Sequence, residues 1–152
     1  MYPEITAISP DHEIVSSRIF HVPAKFLFRA WAEPQHLKEW WGPEGFTNTF
    51  HNFDFRVGGN WKFTMHAPVK GNFENECEFT HIEEPSLIAW KRYSKPLFKV
   101  VATFEETEKD KTLLTFRQIF DTVEECNKIK PFAVEKNEEN FDRLEVELTK
   151  MK

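Results

Sequence analysis

Three histidines, His51, His66 and His81, fall on stretches that neighbouring strands would bring together, and grouped imidazoles are a common way to hold zinc. Their spacing argues otherwise. No His-x-His or His-x-x-x-His pattern occurs, and His66 lies in the phase opposite the apolar residues of its own stretch. Solvent-facing or capping roles fit them better, so no metal ligand and no cofactor is expected. Glu74, Glu76 and Glu78 alternate, and two carboxylates converging in a cavity would suit acid–base chemistry. Three in one phase instead mark the outward face of a sheet. Neither a Ser-His-Asp order with a nucleophile elbow nor a phosphate-cradling glycine loop is present. Gly58-Gly59 reads as a turn needing positive φ, with Asp54 and Arg56 as an ion pair fixing it. Cys77 and Cys126 form no Cys-x-x-Cys pattern. No residue is assigned as catalytic.

The more telling pattern is aromatic. Trp61, Phe63, Met65, Phe79, Trp90, Phe104, Phe116 and Gln118 share the inward phases of successive strands. One polar side chain among many apolar ones is the profile of a binding pocket, where apolar walls give affinity and a polar group orients the ligand. It is equally the profile of a filled core in which Gln118 bonds a backbone group. Sequence leaves both open. Trp40 and Trp41 divide similarly, between anchoring a short helix and lining a cavity mouth. Lys91, Arg92, Lys95 and Lys99 form a basic cluster, read as a solvated strand and turn, with an anion patch as the alternative.

These residues need a scaffold, and the periodicity supplies one. Residues 13–22 read as a strand ending at Pro23. Ala24, Leu27, Phe28 and Trp31 then follow helical spacing, Pro34 interrupts, and Leu37, Trp40 and Trp41 make a second short stripe closed by Gly42-Pro43. Six strands follow, over residues 46–55, from Trp61, from Phe73, and over 87–93, 97–105 and 112–120. Thr47, Thr49, Phe53 and Phe55 share one phase of the first, and Phe73, Cys77 and Phe79 one phase of the third. The charged stretch 106–111 is expected to connect the last two. Hairpin spacing without intervening helices implies an antiparallel sheet and an α+β domain.

A long helix is expected over residues 131–152, because Val134, Phe141, Leu144, Leu148 and Met151 are spaced seven, three, four and three apart. Burying those side chains contributes about 1.5–3 kcal/mol each, against about 1–2 kcal/mol per residue ordered. The helix must therefore lie on the sheet. Its polar turn at residues 137–140 is expected to be held less tightly than its second half.

Composition narrows the function. Sixteen Phe and five Trp in 152 residues suggest a bulky core or an aromatic-lined cavity. A net charge of −5 argues against nucleic acid, and no apolar run approaches the length of a membrane span. The opening MYPEITAISP lacks the basic and apolar regions of a signal peptide, so a reducing, cytoplasmic setting is expected.

Pro23-Ala24 opening a helix, Trp40-Trp41-Gly42-Pro43 closing its partner, Asp54-Phe55-Arg56-Val57-Gly58-Gly59 before the Trp61 strand, and the Phe141, Leu144, Leu148 helix together carry a resemblance. The chain resembles the AHSA-type family, homologues of the activator of the heat-shock-protein-90 ATPase, within the START or Bet v 1-like (SRPBCC) superfamily. The resemblance implies the helix-grip fold, in which a curved seven-stranded antiparallel sheet wraps a long C-terminal helix and encloses a cavity. It also implies a domain over residues 13–152 after an extension at 1–12. Members commonly bind small hydrophobic ligands. On that pattern the ligand-binding residues are Trp41, Trp61, Phe63, Met65, Phe79, Trp90, Phe104, Phe116, Gln118 and Phe141. Cys77 stands where glycine is usual, and Gln118 where a histidine often points into the cavity. Binding of a small hydrophobic or amphipathic ligand is the first expectation. An enzyme of polyketide-cyclase or hydrolase type, drawing on Gln118, Glu76 or His81, comes second. A chaperone-partner role comes third, and a homodimer is left open.

Overall fold

The structure is a computed structural model and describes residues 5–7 and 9–152. A short 3-10 turn, Pro10–His12, leads into β1 (Glu13–Phe20). Two short helices follow, α1 (Ala24–Ala32) and α2 (Pro34–Trp40). Then come β2 (Thr47–Phe53), β3 (Asn60–His66), β4 (Asn72–Glu83), β5 (Leu87–Arg92), β6 (Lys99–Glu108) and β7 (Lys111–Ile119). The chain closes with α3 (Val123–Met151). The seven strands make one antiparallel sheet in the order β1-β7-β6-β5-β4-β3-β2, so only β1 leaves its sequence neighbour, pairing with β7.

Both prolines mark helix starts: Pro34 opens α2, where a missing N–H costs nothing, while Pro23, expected at a first helical position, is instead the N-cap of α1. Ala24, Leu27, Phe28 and Trp31 all turn into the core. One face of the sheet carries the main cluster, covered by α1, α2 and the second half of α3. On the opposite face Ile5 packs with Ala89, Val101 and Ile119, so part of the N-terminal extension covers the sheet's back.

Five expectations need correction. α3 begins eight residues earlier than position 131, because Thr122 caps it by accepting from the Glu125 N–H at 3.1 Å, and Glu124 and Glu125 fill its first turn. Pro131 lies inside the helix on its exposed side, where the carbonyl it leaves unpaired can reach water. Val134 is 49% exposed and does not join the apolar stripe. In β2 a register shift between Phe50 and Asn52 breaks the alternation, so Phe50 and Phe53 face the core while Thr47 and Thr49 do not. Phe73 is 53% exposed near the β3–β4 turn, although Cys77 and Phe79 on the same strand are buried. β6 runs on to Glu108, shortening the last hairpin to a turn at Lys109 and Asp110, the latter at φ 61°.

The β2–β3 turn is held as expected, and more tightly. Arg56 Nε donates to Asp54 Oδ2 at 2.8 Å, and Gly58 has φ 85°. Gly59 is needed for a different reason: a Cβ there would lie 1.9 Å from the Asp54 carbonyl oxygen. Gly59→Ala should therefore destabilise the protein by about 1–3 kcal/mol and by more than Gly58→Ala, whose Cβ meets nothing. Denaturant melts of the two variants check this order.

Candidate functional site

α3 meets the sheet in two ways. Its second half presses Phe141, Leu144 and Leu148 into the core. Its first half presents Asn137 and Asn140, both buried. Asn137 Nδ2 donates to Gln118 Oε1 at 2.9 Å and to Ser16 Oγ at 3.1 Å. Asn140 Oδ1 accepts from the Gly42 N–H at 3.1 Å. The polar turn expected to be loose is thus bonded to β1, β7 and the end of α2. Amides reach across a distance that aliphatic side chains would have filled.

A cavity of about 140 Å³ lies between this half of α3 and the sheet. Its apolar walls are Trp41, Met65, Trp90, Phe98, Val100 and Phe116, with Gly42 and Pro43 at one side. Its polar wall is Gln118, Asn137, Asn140, Arg92 and Lys136. A larger hollow of about 260 Å³, bounded by His21, Pro23, Phe26, Asp110 and Lys152, is a surface groove away from the helix–sheet interface. Aromatic walls together with converging polar groups make the smaller space the better site.

Of the residues expected to bind ligand, Trp41, Met65, Trp90, Phe116 and Gln118 line this cavity. Trp61, Phe63, Phe79, Phe104 and Phe141 do not; they pack against other rings. Trp61 stacks on Phe63 at 4.4 Å, Phe104 meets Phe28 at 5.5 Å, Phe79 meets Phe55 at 5.1 Å, and Phe141 meets Phe116 at 6.3 Å. Large rings therefore fill one end of the interior and leave a gap at the other. The tryptophan pair divides its roles. Trp40 is buried and donates its indole N–H to the Ala30 carbonyl at 2.9 Å, an anchor. Trp41 is half-buried, lines the cavity, and touches Trp31, Trp61, Trp90 and Phe116. Trp31 and Trp61 each have a buried indole N–H without an acceptor among the described residues.

Arg92, read from sequence as part of a solvated cluster, shares the inward phase of Trp90 and reaches the cavity. That two-residue spacing was the available signal. Lys91 points elsewhere, over the Tyr93 ring at 5.3 Å. Burial pushes the Arg92 pKa down, with Cys77 opposing, though a guanidinium keeps its charge. Burial pushes the Cys77 thiol up to about 12, Arg92 opposing and Glu76 adding, so it is no nucleophile at neutral pH. His51 bonds Thr64, and His66 bonds Thr49 and Asn72, while Asn60 donates to Glu76 and Thr64 to Glu74. None of these, nor His81 beside Thr80, lines the cavity. Among the described residues no three His, Cys, Asp or Glu side chains gather as a metal site.

Residues 21–149 match the model of a protein family described as Activator of Hsp90 ATPase homolog 1-like protein. The chain belongs to that family. Solved structures agree on the fold. A protein from Nitrosomonas europaea superposes with a TM-score of 0.87 at 20% identity, over 97% of this chain and 100% of that one. One from Arthrobacter aurescens gives 0.83 at 21%, over 96% and 92%. The AHSA1 protein from Silicibacter pomeroyi gives 0.72 at 19%, over 92% and 99%. No curated protein matches the chain at a significant level. A seven-stranded sheet gripping a long C-terminal helix is the helix-grip fold that the family resemblance implied.

In this Activator of Hsp90 ATPase homolog 1-like domain, the Trp40-Trp41-Gly42-Pro43 element is seated by a residue that no sequence pattern singled out. Arg143 Nη1 donates to the carbonyls of Trp41, Gly42 and Pro43 at 3.2, 3.0 and 2.9 Å, and Nη2 to those of Glu39 and Phe46 at 2.9 and 2.8 Å. Gly42 itself sits at φ 101°, and a Cβ there would come within 2.7 Å of Met65 Cε. Burial lowers the Arg143 pKa, with Glu39 and Glu44 opposing. Arg143→Ala should cost about 2–3 kcal/mol, and Arg143→Lys should recover little, since a point charge cannot serve a planar fan of carbonyls. Thermal melts of the two variants test this.

Proposed function

We propose that this domain binds a small apolar or amphipathic molecule in the cavity between α3 and the sheet. The observation that carries the reading is the cavity itself: aromatic walls on one side, and hydrogen-bonding side chains of α3 and β7 converging on the other. The family fold, which commonly serves hydrophobic ligands, supports it further.

Size limits the ligand. Pockets for drug-sized molecules span about 300–1,000 Å³, whereas an apolar cavity of about 150 Å³ takes benzene. At about 140 Å³ this one accommodates a single ring or a short acyl group. A larger ligand requires one of the half-buried walls, Trp41, Met65 or Phe98, to turn its side chain. The nominated catalytic set does not assemble, since Gln118 lines the cavity while Glu76 and His81 lie elsewhere. Binding is therefore the function this geometry supports best.

Titration with single-ring compounds, followed by tryptophan emission and thermal shift, should give saturable binding. Native mass spectra of freshly purified protein should show a co-purified small molecule. Val100→Phe, which puts a ring into the cavity, should abolish binding while far-UV circular dichroism stays unchanged. Flat titrations across the panel with no retained molecule would reject the proposal.

A further inference from the structure

The polar wall of the cavity is richer in donors than in acceptors: Asn137, whose NH₂ is spent on Gln118 and Ser16, contributes an amide oxygen, and the other lining groups contribute N–H. Arg92 Nε donates to the Pro96 carbonyl at 2.9 Å and Nη2 to Ser94 Oγ at 3.2 Å. A guanidinium has five N–H groups, so these two bonds leave further donors unengaged among the described residues. The Arg92 Cζ lies over the Phe98 ring, 5.0 Å from the centroid. Among the described residues, no carboxylate lies within 4.0 Å of Arg92 or of Lys136, which is exposed on α3 and reaches the same space.

The amides point the same way. Asn140 Oδ1 takes the Gly42 N–H, a partner that can only donate, so its NH₂ is the free end. Gln118 Oε1 takes the Asn137 NH₂, leaving the Gln118 NH₂ free as well. Two cationic groups and two amide NH₂ groups therefore meet in a space whose lining holds no Asp or Glu. Such a wall lacks an acceptor-rich, negatively charged partner, and a neutral hydrocarbon would leave it unsatisfied.

Resting on the binding reading above, we propose that the ligand is a small carboxylate: one ring or a short acyl chain bearing a single anionic head. The apolar part lies among Trp90, Val100 and Phe116. The carboxylate is held by Arg92, with Asn140 and Gln118 donating and Lys136 at the rim. A guanidinium matches a carboxylate as a two-pronged donor, and bonds to a charged acceptor are the strong ones.

The test is calorimetry with phenylacetate and its uncharged isostere phenylacetamide against wild type, Arg92→Gln and Lys136→Gln. Wild type should bind the acid at least about tenfold more tightly than the amide. Arg92→Gln should weaken the acid far more than the amide and so erase that preference. Lys136→Gln, at an exposed position that folding does not need, should weaken acid binding a few-fold and flatten its salt dependence. Equal binding of acid and amide by wild type overturns this inference and leaves the binding proposal standing. An acid preference untouched by both substitutions overturns the assignment to these residues. Binding of neither compound, with single-ring panels also silent, overturns both.

Discussion

What the structure depends on is the change of character along α3. Its second half is a conventional apolar stripe, and Phe141, Leu144 and Leu148 hold it against the sheet. Its first half is held by amides, through Asn137 to β1 and β7 and through Asn140 to Gly42. A hydrogen bond fixes distance and direction without filling volume, whereas a leucine fills volume. The gap consequently opens under the polar half, and the same helix both closes the domain and roofs a cavity.

Charge reinforces that arrangement from outside and beside. Arg18 of β1 meets Glu138, Asp142 and Glu145 on α3, an exposed network that fixes the helix's lateral position more than its stability. Arg143 draws the end of α2 and the start of β2 onto α3 through five carbonyls. Trp41 is thereby held where it can line the cavity, although its side chain is only half-buried. His36 completes this side, bonding the buried Glu147 at 2.9 Å. One wall of the cavity is thus built from a short helix end and a loop, while β5, β6 and β7 supply the wall facing it.

The fold was legible because its signals are local and repeated. Proline at 23 and 34, the glycine pair at 58 and 59, and two-residue alternation in Trp61, Phe63 and Met65 each name an element without help from the rest of the chain. The candidate site was only half legible for a related reason. Alternation says which face a residue takes, so Trp90 and Phe116 were found, but not how far along the strand packing ends and the cavity begins; Trp61 and Phe104 share the same face and are filled in. Asn137 and Asn140 were misjudged because polarity at a buried position cannot be told from polarity at an exposed one until the partners are known. Arg92 was read as solvated, with an anion patch only as the alternative, and Arg143 was passed over, since charged residues are usually solvated and the Arg143 carbonyl contacts come from elements up to 104 residues away. The β2 bulge at His51 is invisible to any two-residue count.

The central claim is that the amide-held half of α3 roofs a space that a ligand occupies. The most direct measurement is a set of intermolecular nuclear Overhauser effects between phenylacetate ring protons and the protein at saturation. Cross-peaks to the side chains of Trp90, Val100 and Phe116, with the Asn140 amide protons shifting on titration, are the predicted result. Cross-peaks confined to the groove around Val22, Pro23 and Phe26, or an Asn140 signal indifferent to the titration, would contradict it.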